Sequence, residues 1–163
     1  MFRVFAVLFA MTVAASAAEA QQAQNVERTQ HADWTRECGA PAGTNQRLCV
    51  LSQVVKDQQG KPIVAAQVVK PPNGQPAILR FLAPLGIWLR PGVEMNIDGG
   101  SRTKLEYEIC NEQSCMAQMQ LSQGLVNAMK RGSAANITLR SIRRQKLDLK
   151  VSLRGFTAGY NAL

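Results

Sequence analysis

A single histidine and a few carboxylates are the residues that could support catalysis in this 163-residue sequence. A Ser-His-Asp or Cys-His arrangement needs an imidazole that packing holds in place. His31 is the one histidine, and it lies in a polar, Gln-rich segment that predicts a mobile leader. We therefore assign no catalytic residue and expect that the protein is not an enzyme.

Glu106 and Glu108 could imitate the carboxylate pair of a hydrolase. They are two residues apart in an alternating segment, so they share one strand face with Lys104. A solvent-exposed strand face that carries charged residues explains this pattern more simply than an active site does. Glycosidase carboxylates generally come from distant segments, so an envelope hydrolase with scattered carboxylates stays open as a minor alternative.

Four cysteines indicate disulfide bonds, because an even number in an oxidising compartment usually pairs. Of three possible connectivities we predict Cys38–Cys49 and Cys110–Cys115, since each pair brackets a short loop between predicted strands. Zinc sites typically show C-x₂-C spacing, and catalytic dithiols show C-x-x-C at a helix start. Neither spacing occurs here, so we expect no metal site and no cofactor.

The first twenty residues predict export. Met1-Phe2-Arg3 is basic, Val4–Ala18 is uncharged, and Ala18-Glu19-Ala20 forms an A-x-A cleavage site, with cleavage after Ala17 as the alternative. The apolar run is shorter than the about 20 residues that span a membrane, and no later stretch is apolar enough. We expect a signal peptide over 1–20, no transmembrane segment in the mature chain, and a periplasmic or secreted, outer-envelope location.

The net charge of +8 favours contact with a polyanion, for example lipopolysaccharide, anionic phospholipid or an acidic glycan. Arg143, Arg144 and Lys146 fall in the predicted turn of the final hairpin and are the candidate anion-contact residues. Nucleic acid is not the expected partner, because no aromatic side chain for base stacking is near in sequence. The alternative is an ordinary solvated turn in a basic secreted protein.

A second candidate surface is the apolar, turn-rich segment of Leu85, Ile87, Trp88 and Leu89. Prolines on both sides argue against a central strand. If these side chains are exposed, they form an apolar patch for a partner or for peripheral membrane contact. If they are buried, they close one end of the core.

The elements that must position these residues are mainly strands. Val93–Ile97, Thr103–Ile109 and Leu147–Leu153 alternate apolar and polar residues with a period of two, and Asp98-Gly99-Gly100 predicts a hairpin turn. The other predicted strands are Leu48–Val55, Ile63–Lys70, Ala77–Leu82, Cys115–Gln120 and Asn136–Ile142. One short helix is predicted between Ser122 and Gly132, and a possible second one lies within Thr157–Leu163. We expect an all-β sandwich or barrel over 33–163, after a flexible leader over 21–32.

Taken together, these motifs resemble the invasion-associated locus B family over about residues 33–163. The matching pieces are Asp33-Trp34, Cys38, Cys49, the run from Pro84 to Val93, Ile97-Asp98-Gly99-Gly100, Cys110-x₄-Cys115 and the ending from Val151 to Leu163. Arg90 and Trp88 depart from the residues that are usual in the family at this end of the domain. The resemblance implies an immunoglobulin-like β-sandwich, export to the periplasm or outer envelope, and no known catalytic activity.

We therefore expect a non-enzymatic cell-envelope protein that binds a macromolecular or anionic envelope partner. The family is named for a role in host-cell entry. The alternative is accordingly a secreted virulence factor that promotes host-cell adhesion or invasion. The family supplies no ligand-binding residues to carry over onto this sequence.

Overall fold

The computed structural model describes residues 26–40, 43–44, 46–57, 59–72 and 74–163. The predicted signal peptide and the first part of the predicted leader lie outside the described residues. Ten strands and two short helices form the described part of the chain. The strands are β1 (Glu27–His31), β2 (Trp34–Gly39), β3 (Leu48–Lys56), β4 (Pro62–Val69), β5 (Ile78–Pro84), β6 (Val93–Ile97), β7 (Thr103–Cys110), β8 (Ser114–Gln120), β9 (Ala134–Arg140) and β10 (Lys146–Ser152).

All strand pairs are antiparallel, and the strands form one ladder in the order β1-β2-β3-β4-β5-β8-β7-β6-β9-β10. Strand β7 changes partner along its length. Its first residues, 103–105, pair with β6, whereas residues from Glu106 to Cys110 pair with β8. This strand therefore links the two parts of the ladder. The predicted all-β class is confirmed.

One face of the ladder forms the core. In β4 and β5 the inward side chains alternate with outward ones, as the two-residue period requires. Trp34, Phe81 and Phe156 are the largest fully buried side chains, and the Trp34 and Phe156 rings meet edge to face at 5.4 Å. Burial of one face of strands such as β4 and β5 is consistent with the layered packing that the family resemblance implies.

Side-chain hydrogen bonds join the end of β10 to β3 and to the start of β2, and so hold the curled ladder closed. The side-chain amide of Gln53 in β3 donates to Ser152 O at 3.0 Å and accepts from Ser152 N at 2.8 Å. Trp34 Nε1 also donates to Ser152 O, at 2.8 Å. Asp33 accepts from Ser152 Oγ and Arg154 Nη2, both at 2.6 Å. These contacts fix the end of β10 against the start of the sheet.

Two helices cover one end of the ladder. Helix α1 (Gln123–Arg131) begins where Ser122 Oγ accepts from Leu125 N, and it ends where Gly132 N donates to Ala128 O, as predicted. Helix α2 (Phe156–Asn161) corresponds to the predicted C-terminal helix. Lys70 Nζ donates to Tyr160 O at 2.6 Å and lies 4.3 Å from the Tyr160 ring centroid, so a cation holds the C-terminal end of α2.

The two disulfide bonds are Cys38–Cys49 and Cys110–Cys115, as predicted, and no free cysteine occurs among the described residues. Cys38 and Cys49 are directly opposite one another in β2 and β3, and Cys110 is opposite Cys115 in the β7–β8 hairpin. Each bond therefore joins neighbouring strands.

The flexible leader predicted over 21–32 is wrong for Glu27–His31, which forms β1 and pairs with β2 along its whole length. These residues are polar, so neither face carries an apolar alternation that would indicate a strand. Backbone pairing and ion pairs stabilise β1 instead: Glu27 contacts both Arg36 and Arg47, and Arg28 Nη2 lies 2.7 Å from Glu37 Oε1. His31 is consequently half-buried rather than tethered in solvent.

Candidate functional site

The two predicted surface segments lie against each other, although they are far apart in sequence. Residues 85–90 lie in the connection from β5 to β6, and the turn after β9 contacts them through the backbone. Trp88 N donates to Arg140 O at 2.7 Å, Ile142 N donates to Gly86 O at 3.0 Å, and Ile87 forms an isolated bridge with Ser141. We call segments 85–90 and 140–146 together the tip.

The β9–β10 turn presents its basic residues through a tight three-residue loop. Ser141 N donates to Gln145 O at 3.0 Å, and Arg144 N donates to Ser141 O at 2.8 Å. Arg144 has a φ of 62°, in the left-handed region that this class of hairpin loop requires. A non-glycine residue there costs energy of order 1–3 kcal/mol, and such strain often marks a functional position.

Arg144 and Trp88 are in direct contact. The Arg144 guanidinium lies 5.1 Å from the centroid of the Trp88 ring, and the Trp88 side chain is half-buried. A cation over an indole face at an exposed site is worth about 0.5–1 kcal/mol. The contact fixes one cation of the turn on the apolar segment, so the two predicted candidate sites form a single surface.

The fold exposes only part of the apolar patch that was predicted from the sequence. Leu85 and Leu89 are 51% and 44% exposed, whereas Ile87 is half-buried and packs against the core. Ile142, in the facing turn, is 70% exposed and was not predicted as part of the patch. An aliphatic residue in an otherwise polar, basic turn was the available signal, since turns favour Gly, Pro, Asn, Asp and Ser.

The charge of the tip is entirely positive. Segments 85–90 and 140–146 contain no Asp or Glu, and their cations are Arg90, Arg140, Arg143, Arg144 and Lys146. None of these five forms an ion pair with the described residues. Five arginines outside the tip do form ion pairs with carboxylates: Arg28, Arg36, Arg47, Arg102 and Arg154. The tip therefore combines five cations that have no carboxylate partner among the described residues and are available to an external anion.

The residues that could have formed an active site are separated or engaged elsewhere. Glu106 pairs with Lys104 at 3.2 Å, and Glu108 accepts from Gln118 Nε2 at 2.6 Å on the outer sheet face. His31 lies in β1, and its Nε2 is buried with no hydrogen-bond partner among the described residues. Over the same residues, no three His, Cys, Asp or Glu side chains are placed to share a metal ion.

Among the groups outside the tip, Tyr107 and Lys70 have pKa values that burial shifts. Burial raises the pKa of the Tyr107 hydroxyl to about 12, and this hydroxyl has no described hydrogen-bond partner. Burial also lowers the pKa of Lys70, and the nearby Lys130 ammonium lowers it further. Lys70 and Lys130 both lie over the Tyr160 ring, so these cations serve to hold α2.

Within the described ranges, no helix combines the length and apolar character needed to cross a membrane.

Comparison with known proteins places the chain beside proteins associated with invasion. Residues 34–163 match the family model described as Invasion associated locus B (IalB) protein. A protein named Invasion protein B homolog from Brucella abortus (strain 2308) is 28% identical over 133 residues, covering 80% of this chain and 75% of the relative. A homolog with the same description from Brucella abortus biovar 1 (strain 9-941) matches with the same figures.

A solved structure matches the fold. The crystal structure of invasion associated protein b from Bartonella henselae superimposes with a TM-score of 0.72 at 20% identity. The match covers 83% of this chain and 93% of that chain. At this identity the structural match establishes the fold, and the site must be argued from this chain's own residues.

Proposed function

The chain belongs to the invasion associated locus B family, and on that premise we propose that it works after export as a non-enzymatic binding protein of the cell envelope. Its tip binds an anionic envelope component, and its location is the periplasm or the outer envelope. The basic and then apolar pattern of residues 1–20 supports export. The two disulfide bonds support it as well, because disulfides persist in oxidising compartments.

The observation that carries the proposal is the unneutralised charge of the tip. Five cations lie on two contacting segments that contain no carboxylate. Like charges on contacting segments repel one another, so the arrangement is stabilised when an anion is bound. The Arg144–Trp88 contact holds one guanidinium in place, which lowers the conformational entropy lost on binding.

The test is salt-dependent binding of the purified exported protein to lipopolysaccharide. The variant Arg143→Ser/Arg144→Ser/Lys146→Ser should bind about tenfold more weakly, since three exposed ion contacts of about 0.5 kcal/mol each sum to about 1.5 kcal/mol. Binding of the unmodified protein should weaken as ionic strength rises, because salt screens exposed charges.

A matched control removes the same number of positive charges outside the tip. Arg102 lies in the turn after β6, Arg131 ends α1 and Lys150 lies in β10; all three are exposed and lie outside the tip. The variant Arg102→Ser/Arg131→Ser/Lys150→Ser should bind nearly as well as the unmodified protein. Equal losses in the two triple variants would show that net charge, not the tip, drives binding and would overturn the proposal.

A second candidate function is promotion of host-cell adhesion or entry. The names of the Brucella and Bartonella relatives favour it, since both refer to invasion. Deletion of the gene should then reduce entry of the bacterium into cultured cells, and added purified protein should restore it. Normal entry after deletion would contradict this second function and leave envelope binding unaffected.

A further inference from the structure

We propose that the tip docks on an anionic phospholipid bilayer, with Leu85, Leu89 and Ile142 inserting at the headgroup level and the surrounding arginines contacting lipid phosphates. This inference rests on the proposed function and identifies the partner of the same site. It names a bilayer as the partner, rather than a soluble polyanion that carries similar phosphate or sulfate groups.

Exposed aliphatic side chains are concentrated on the tip. Of the six large apolar side chains that are exposed among the described residues, three are Leu85, Leu89 and Ile142. A soluble polyanion would explain the arginines of the tip but would leave these three aliphatic groups in water. A bilayer surface accounts for both, since its interface combines anionic headgroups with a hydrocarbon region.

The backbone of the tip is also suited to contact with lipid. Polar backbone groups that enter the hydrocarbon boundary must be hydrogen-bonded within the protein. The Trp88–Arg140, Ile142–Gly86 and Ser141–Gln145 backbone bonds satisfy groups on both segments. The two loops therefore form a paired ridge rather than two open coils, and shallow insertion breaks none of these bonds.

The charged and aromatic side chains complete the arrangement. Arginine side chains can keep the guanidinium at the headgroups while their methylenes lie along apolar surface. Each Lys or Arg near an anionic leaflet strengthens the association of the protein with that leaflet. Trp88, half-buried beneath Arg144, has the amphipathic ring that proteins place at membrane interfaces.

The experiment is sedimentation of the purified exported protein with vesicles of phosphatidylglycerol and phosphatidylethanolamine, compared with vesicles of phosphatidylcholine alone. Strong binding is expected only to the anionic vesicles. Binding should shift the tryptophan emission to shorter wavelength, and the signal should come from Trp88 because Trp34 is fully buried before binding. Trp88→Phe should remove the shift.

Two aliphatic variants separate insertion from charge attraction. Leu85→Ser/Ile142→Ser should weaken vesicle binding by about tenfold or more, since it removes two inserting side chains, and should leave heparin binding unchanged. The control Val54→Ser/Ile109→Ser removes two aliphatic side chains that are 51% and 61% exposed on the outer sheet face. This control should bind vesicles normally. Thermal unfolding followed by circular dichroism checks that each variant is folded.

Each outcome has a defined consequence. Equal vesicle binding by the unmodified protein and Leu85→Ser/Ile142→Ser would overturn insertion, and the proposed anion binding would stand if the triple basic variant is still impaired. Competition by soluble inorganic phosphate at millimolar concentration would identify a free phosphate as the ligand and would also overturn the bilayer proposal. Failure to bind lipopolysaccharide, heparin and vesicles alike would overturn the proposed function itself.

Discussion

At the scale of single residues, Asp33 connects the start of β2 to the end of β10. Its carboxylate accepts hydrogen bonds from Arg154 Nη2 and Ser152 Oγ, and its backbone N–H donates to Arg154 O. The hydrogen bond from the Arg154 guanidinium, with a smaller one from Ser152, holds the pKa of Asp33 below its ordinary value of 3.8. The ionised carboxylate is therefore part of the folded structure.

This contact predicts a pH dependence of stability. A carboxyl group whose pKa is lowered by folding stabilises the folded state above its ordinary pKa, and the contribution is lost as the pH falls through the lowered pKa. The difference in free energy of unfolding between the unmodified protein and Asp33→Asn should therefore be constant from neutral pH to about pH 5. This difference should become smaller as the pH falls below 3.8, the ordinary pKa of the carboxyl group.

Urea denaturation at a series of pH values measures this difference. Arg154→Gln is the matched variant, because it removes the cation and keeps an amide that can hydrogen-bond Asp33. Arg154→Gln should likewise weaken the dependence of the free energy of unfolding on pH. An Asp33→Asn variant with the same pH profile as the unmodified protein would show that Asp33 contributes nothing through its charge.

At the scale of the elements, two glycines determine where α2 packs. Gly155 has a φ of 88°, and a Cβ atom there would lie 1.9 Å from His31 O. A Cβ atom at Gly159 would lie 2.4 Å from Leu51 Cδ1. The turn before α2 thus approaches β1 closely, and the helix approaches β3 closely, as only glycine allows.

We expect Gly155→Ala to destabilise the protein by more than the cost of the left-handed conformation alone. Gly99 provides the control, since it has a φ of 81° and a Cβ atom added there would meet no atom within 4 Å. Gly99→Ala should cost about 1–2 kcal/mol for the conformation. Gly155→Ala should cost clearly more, because backbone atoms of β1 must also move. Equal losses in urea denaturation would contradict the close approach.

Alternation of apolar and polar residues was sufficient to predict most elements but not their neighbours. Strands β6, β7 and β10 were predicted to within about two residues, because one face of each packs on the core. Strands β1 and β2 were not among the predicted strands, and β1 gave no apolar signal because its residues are polar and pair with β2 through the backbone. The sequence also indicated both halves of the tip separately. Their contact depends on the order β6-β9-β10, which a local pattern does not encode.

At the scale of the whole molecule, a long curled ladder is joined across neighbouring strands by two disulfide bonds. By chain entropy, sequence separations of 11 and 5 correspond to about 2–3 kcal/mol each. Small proteins have a total stability of about 5–15 kcal/mol. The two bonds together are thus a large share of what holds the molecule folded.

We predict that reduction lowers the free energy of unfolding by about 4–6 kcal/mol, since the two bonds are distant and their effects should add. Urea denaturation with and without dithiothreitol measures the loss, and mass spectrometry of the untreated protein should detect no free thiols. Cys110→Ala/Cys115→Ala should lose about half of the total. A reduced protein as stable as the oxidised one would show that folding does not depend on an oxidising compartment.

The two ends of the ladder have a consequence for how molecules meet one another. Strands β1 and β10 each have a neighbour on one side only, and an unpaired strand edge can recruit another chain. Both edge strands carry charged residues: Glu27 and Arg28 on β1, and Lys146, Asp148 and Lys150 on β10. The Gln53 amide occupies the backbone groups of Ser152. At high concentration, the edge strands of one molecule should therefore not pair with those of another to form fibres.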